Sequence, residues 1–192
     1  MRTFLARLTV RASDWAMALA EIGIALMMFH VVTEIVSRRL FRVSLDAVPE
    51  IVGYYYMASV IFLSLAYVTR AEGHVAATLF TDLLPIKVQS LLMGIVLVIL
   101  GGVMTVFAWQ MGIEAVRMTR IGEFHQGATL NLPTWPSRWF PPVGAVLMAL
   151  MAFLMALDKL IGQQTVAQVA TEDLPPEQQP EQQEEQLRKE LA

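Results

Sequence analysis

The sequence predicts an all-α integral membrane protein, with four transmembrane helices plus a short interfacial helix between spans two and three. Two observations predict it. Residues 88–113 run for 26 positions without a charged side chain, and residues 51–69 and 139–157 run for 19 each. A helix needs about 20 mostly apolar residues to cross a hydrocarbon core of roughly 30 Å. Of the 192 residues, 56% are apolar and 16% charged, and the mean hydropathy is +0.53, a composition that a soluble domain of this length could not readily hide. Cysteine is absent, which removes disulfides, thiolate metal sites and cysteine nucleophiles together.

Residues 1–14 form a basic N-terminal segment with Arg2, Arg7 and Arg11. The first span follows at residues 15–37 and carries Glu21, His30 and Glu34 among residues such as Ile22, Leu26, Met27 and Val31. Its apolar part is too long for a signal-peptide core and no small-residue cleavage site follows Thr33, so it reads as an uncleaved anchor. The second span covers residues 51–69.

In the connector after it, Val75, Ala76, Leu79, Phe80, Leu83 and Leu84 recur at helical spacing, with His74, Thr78, Thr81 and Asp82 on the other side. This pattern predicts a short helix lying along the interface and stopped by Pro85. A re-entrant or buried connector is the alternative.

The third span, residues 88–113, exceeds a perpendicular crossing. Gly101 and Gly102 within it are read as allowing close helix packing. The connection over residues 114–138 is the longest, and Pro133, Pro136, Pro141 and Pro142 keep its end from forming one continuous helix. Pro141 and Pro142 suit the first turn of the fourth span, residues 139–161, where a missing N–H costs little. Trp135, Trp139 and Phe140 cluster where an aromatic belt belongs. The four-helix domain thus covers residues 15–162. Residues 163–192 turn to Gln, Glu and Pro, lack the apolar content that offsets ordering entropy, and are expected to be a disordered tail.

An even number of spans returns both termini to one side. Arg2, Arg7, Arg11, Arg70, Lys87 and Lys159 fall on that side; Arg38, Arg39, Arg42, Arg117, Arg120 and Arg138 fall opposite. Six against six leaves orientation undecided by basic residues alone. Such an Arg load suits either a docking face, through bidentate carboxylate pairing, or dual insertion.

His30, Glu34 and Arg38 stand at i, i+4 and i+8, and Glu34 precedes Arg38 in the favourable order for a helical pair. Gln110, Glu114 and Arg117 repeat the arrangement at the end of the third span. Glu21 lies six residues past Trp15, about 9 Å along a helix, shallow for a coupling carboxylate. Of the three histidines only His30 falls within a span, so bis-imidazole haem ligation lacks a second ligand. No zinc spacing, P-loop, nucleotide fingerprint or triad is present. An enzyme is not expected, nor a cofactor in this chain, nor a nucleic-acid partner.

The run Arg38-Arg39-Leu40-Phe41, then Glu50, then Arg70-Ala71-Glu72-Gly73-His74-Val75 and Leu84-Pro85, resembles the small membrane subunit of tripartite ATP-independent periplasmic (TRAP) transporters, the DctQ type. Leu132-Pro133-Thr134-Trp135 and Phe140-Pro141-Pro142-Val143-Gly144 resemble that family's segment before the last helix. Two features depart from it: Thr78 stands where an aspartate is common, and residues 44–47 replace a usual proline and tryptophan.

The resemblance implies a multi-pass scaffold in the bacterial inner membrane with both termini cytoplasmic. It would brace a large permease subunit that binds substrate and sodium, and help dock a periplasmic binding protein delivering an organic acid. Candidate docking or structural charges are Glu34, Arg38, Arg39, Arg42, Glu50, Glu114 and Arg117. Arg70, Gly73, His74, Leu79, Phe80 and Leu83 are candidates for the interfacial helix and its motif. Two other readings are carried: a stand-alone dual-topology proton-coupled exporter using Glu21, and an anchoring protein for a respiratory complex.

Overall fold

The computed structural model describes residues 2–43, 48–71, 86–126, 131–161, 165–166 and 169. Helix α1 is Arg2–Val36. Helix α2, Val48–Arg70, contains a π-helical stretch at Val52–Met57. Helix α3 is Ile86–Ile121 and α4 is Phe140–Ile161. All four are long and apolar enough to cross a membrane. The predicted interfacial helix, with Gly73, His74, Leu79, Phe80 and Leu83, lies outside the described residues.

Helix α1 starts at Arg2 and runs without a break through the basic segment into the span. Leu, Ala and Arg are strong helix formers, and neither Gly nor Pro occurs before Gly23. Ala6 and Val10 from these early turns are buried in one cluster with Leu97 of α3 and Met151, Ala152, Met155 and Ala156 of α4. Within the segment expected to be disordered, Val166 and Val169 join this cluster, and the Val166 N–H donates to Asp158 Oδ2 at 2.8 Å. Apart from Thr165, the rest of that tail is outside the described residues.

Helix α4 is the centre of the bundle. Half of its most apolar stretch is buried, against 17–22% in the other three helices. Its buried face is built of small and flexible residues, Gly144, Ala145, Met148, Ala149, Ala152 and Ala156. Lipid tails are as apolar as Leu, so helices in a bilayer associate through close packing rather than through the hydrophobic effect. The tightest approach is at Gly144, where an added Cβ would stand 2.0 Å from the Phe62 carbonyl oxygen of α2. At Gly101 an added Cβ would meet the Phe153 ring at 2.9 Å, whereas at Gly102 it would meet nothing within 4 Å. The expected packing role therefore falls to Gly101 alone.

The loop between α3 and α4 is organised by Glu123. Gly122 adopts a left-handed φ of +64°, and the N–H groups of Gly122 and Glu123 return to the carbonyls of Thr119 (3.3 Å) and Met118 (3.0 Å). These two bonds form a Schellman cap on α3. The Glu123 carbonyl accepts from Thr134 N at 3.0 Å and Trp135 N at 3.3 Å, and its carboxylate takes Arg138 Nε at 3.0 Å and Nη2 at 2.7 Å.

Between these anchors, β1 (Phe124–Gln126) and β2 (Asn131–Pro133) pair antiparallel, His125 opposite Leu132. A 3₁₀ turn, Trp135–Trp139, then leads into α4, and the Trp139 indole N–H donates to Thr119 Oγ1 at 3.1 Å. The hairpin is a local addition to an otherwise helical fold.

Hydrogen bonds from Arg138, with its positive charge, hold the Glu123 carboxyl below the ordinary carboxylate range. A depressed folded-state value means that this contribution is complete above the unfolded pKa and is lost as pH falls through the folded one. E123Q should cost about 1 kcal/mol, since Arg138 is partly solvent-screened. It should also flatten the acid side of a thermal-stability profile in detergent; an unchanged profile would contradict the clamp. Overpacking at Gly144 is the larger effect: G144A should destabilise by about 1–3 kcal/mol, while G102A leaves melting unchanged.

Candidate functional site: a charged and aromatic rim

One end of the bundle gathers the Arg-rich connections. Helix α1 ends in a π-helical turn, Ser37–Phe41, followed by Arg42 at φ +56°. A left-handed conformation is costly for a residue with a Cβ and persists where surrounding contacts hold it. Here Ser37 Oγ donates to the Val43 carbonyl at 3.0 Å across the reversal. Arg38, Arg39 and Arg42 are all exposed on this turn.

Arg38 is tied down from below. Its Nε and Nη2 both donate to Glu34 Oε1, the first at 2.9 Å, and the Glu34 side chain is 9% exposed while that of Arg38 is 65% exposed. The buried carboxylate thus orients a guanidinium that still faces outward. Arg39 and Arg42 have no ion pair among the described residues. The matching pair on α3, Glu114 and Arg117, is looser at 3.5 Å and exposed. Glu50 is half-buried at the start of α2, with no ion pair among the described residues.

The π-helical stretch of α2 fans three consecutive tyrosines across the rim. Tyr56 Oη lies 3.5 Å from His30 Nδ1 of α1 with the rings edge to face. Tyr54 Oη lies 3.4 Å from His125 Nδ1 of β1, and the Tyr55 O–H donates to the Pro133 carbonyl of β2. One turn of α2 therefore holds α1 and the hairpin together. π-Helical turns often occur at functional sites. Sequence reasoning missed both this fan and the Glu123–Arg138 clamp; three adjacent tyrosines and a Gly directly after a long helix were the available signals.

The opposite end is pinned separately. Arg70 Nη2 donates to Asp14 Oδ1 at 2.6 Å, and the Arg70 guanidinium sits 4.8 Å from the Tyr67 ring centroid. Ser90 Oγ donates to the Lys159 carbonyl at 2.6 Å, joining the start of α3 to the end of α4. Arg70 thus joins α1 to α2, while Glu72 to Val75 of its sequence motif lie outside the described residues. Glu21 is exposed on α1 and has no ion pair among the described residues.

Removing the Tyr55 hydroxyl tests the rim. Y55F should leave bundle melting nearly unchanged but speed hydrogen exchange at residues 124–126, because the Pro133 carbonyl loses a bond worth about 1 kcal/mol. Equal exchange in the two proteins would show that the hairpin is held by other contacts.

Comparison with known proteins gives one family. Residues 27–162 match the model of the DctQ component of tripartite ATP-independent periplasmic transporters. No curated protein and no solved structure matches the chain. The match covers the last ten residues of α1 and the whole of α2, α3 and α4, including the rim. The chain belongs to the DctQ component family of tripartite ATP-independent periplasmic transporters, and is a small multi-pass membrane subunit of such a transporter.

Proposed function

We propose that this subunit is a scaffold in the bacterial inner membrane. It braces a large permease subunit that carries the sodium and organic-acid sites, and its rim helps dock a periplasmic binding protein. In this reading both termini are cytoplasmic and the end bearing Arg38, Arg39 and Arg42 faces the periplasm. The observation that carries the reading is that end. Three exposed guanidiniums stand on one tight turn, one of them oriented by a buried carboxylate. Exposed charge of one sign steers an oppositely charged partner and sets association rate more than affinity.

The bracing role rests on the outer faces of the helices. Phe4, Trp15, Leu19, Ile22, Phe29 and Val32 of α1 are exposed, and Glu21 stands among them. An ionisable group within a span normally faces protein rather than lipid. A large subunit covering this face would supply a donor for Glu21. A proton-coupled exporter has less support, since Glu21 lies only about 9 Å along the helix from Trp15, shallow for a coupling carboxylate, and the connection between α3 and α4 is long.

Charge reversal separates these roles. R38E/R39E/R42E should leave the subunits co-purifying while uptake at limiting binding protein falls by about tenfold or more at low salt, with a smaller deficit at high salt. Unchanged uptake would remove the docking role. Loss of the assembled complex would make these charges structural instead.

A further inference from the structure

The face of α3 and α4 toward the rim holds a groove of about 940 Å³. Its floor is made of small residues, with Ala108 and Gly112 on α3 and Ala149 on α4, and its walls are apolar except for Thr105, whose hydroxyl donates to the Gly101 carbonyl at 2.7 Å. At Gly112 an added Cβ would meet nothing within 4 Å, so the space is open there. The lining changes abruptly at one end, where Arg117, Arg120 and Trp139 form the mouth. From Thr105 to Arg120 the groove follows α3 for about 22 Å at 1.5 Å per residue.

We infer that this groove holds an anionic phospholipid, with an acyl chain along Ala108, Gly112 and Ala149 and its phosphate between Arg117 and Arg120. The polarity gradient matches that of an amphiphile. Arg117 and Arg120 are three residues apart and so share a helix face, where one phosphate can meet both guanidiniums. Neither cation is neutralised firmly. Arg117 reaches Glu114 only at 3.5 Å with its side chain 68% exposed, and Arg120 has no ion pair among the described residues. The Trp139 ring is fixed by its bond to Thr119, at the level where amphipathic rings sit against headgroups. A transmembrane helix from another subunit could also fill an apolar groove, but it would not by itself satisfy two cations at the mouth.

Tryptophan quenching tests this assignment, because Trp109 and Trp139 line the groove while Trp15 and Trp135 can be replaced by Phe. The full chain, together with any subunit that co-purifies, is reconstituted in phosphatidylcholine vesicles containing a small fraction of brominated phosphatidylglycerol or brominated phosphatidylcholine. Quenching should reveal a preference for phosphatidylglycerol on the order of tenfold. R117Q/R120Q should abolish that preference, and G112L, which fills the groove with both arginines intact, should abolish it as well. Equal quenching by the two lipids, or a preference that survives either variant, would overturn the inference. So would tryptophans shielded from both lipids, an outcome that assigns the groove to a partner helix.

Discussion

The close approach of α4 to α2 at Gly144 sets the packing of the whole bundle. A bilayer offers no water for helices to escape, so the bundle holds together only where backbones come close enough to make dense contact. With the Phe62 carbonyl standing where a Gly144 Cβ would be, α2 lies directly on the central helix. Ala145, Met148, Ala149, Ala152 and Ala156 continue the close-packed face of α4. Helices α1, α2 and α3 can then turn large apolar side chains outward, since the interior is filled by small ones.

Among the described residues, the ion pairs and the side-chain hydrogen bonds between elements lie toward the two ends of the bundle. At one end Asp14 and Arg70 join α1 to α2, and Ser90 joins α3 to α4. At the other, the tyrosine fan and Glu123 connect α1, α2, the hairpin and the turn before α4, while Glu34 orients Arg38 within α1. The second end is stiff underneath and charged on top. Such an arrangement suits a subunit that stays still while presenting a surface, because orienting Arg38 through a buried carboxylate reduces the rotamer freedom it would otherwise lose on binding.

The spans were legible because uninterrupted apolar runs have few other uses, and the rim arginines because basic residues next to a span end stand out. Other features depended on direction or distance, which composition does not encode. Gly101 and Gly102 looked alike in sequence, yet successive residues point about 100° apart around a helix, and only Gly101 faces Phe153. Gly144 was quoted within a motif without its role being visible, since the Phe62 carbonyl it accommodates is 82 positions away in the chain. The three-residue strands were too short to show an alternating pattern. Helix α1 began earlier than its apolar run because helix propensity continues where hydrophobicity stops.

Under the proposed function this polypeptide braces and docks but does not itself transport. Flux measured in sealed vesicles containing only the purified chain tests it most directly, with sodium and proton gradients imposed in turn and organic acids inside or outside. A scaffold gives no gradient-driven flux above that of protein-free vesicles, with uptake appearing only when the large subunit and the binding protein are added. Solute movement driven by either gradient through the isolated chain would contradict it.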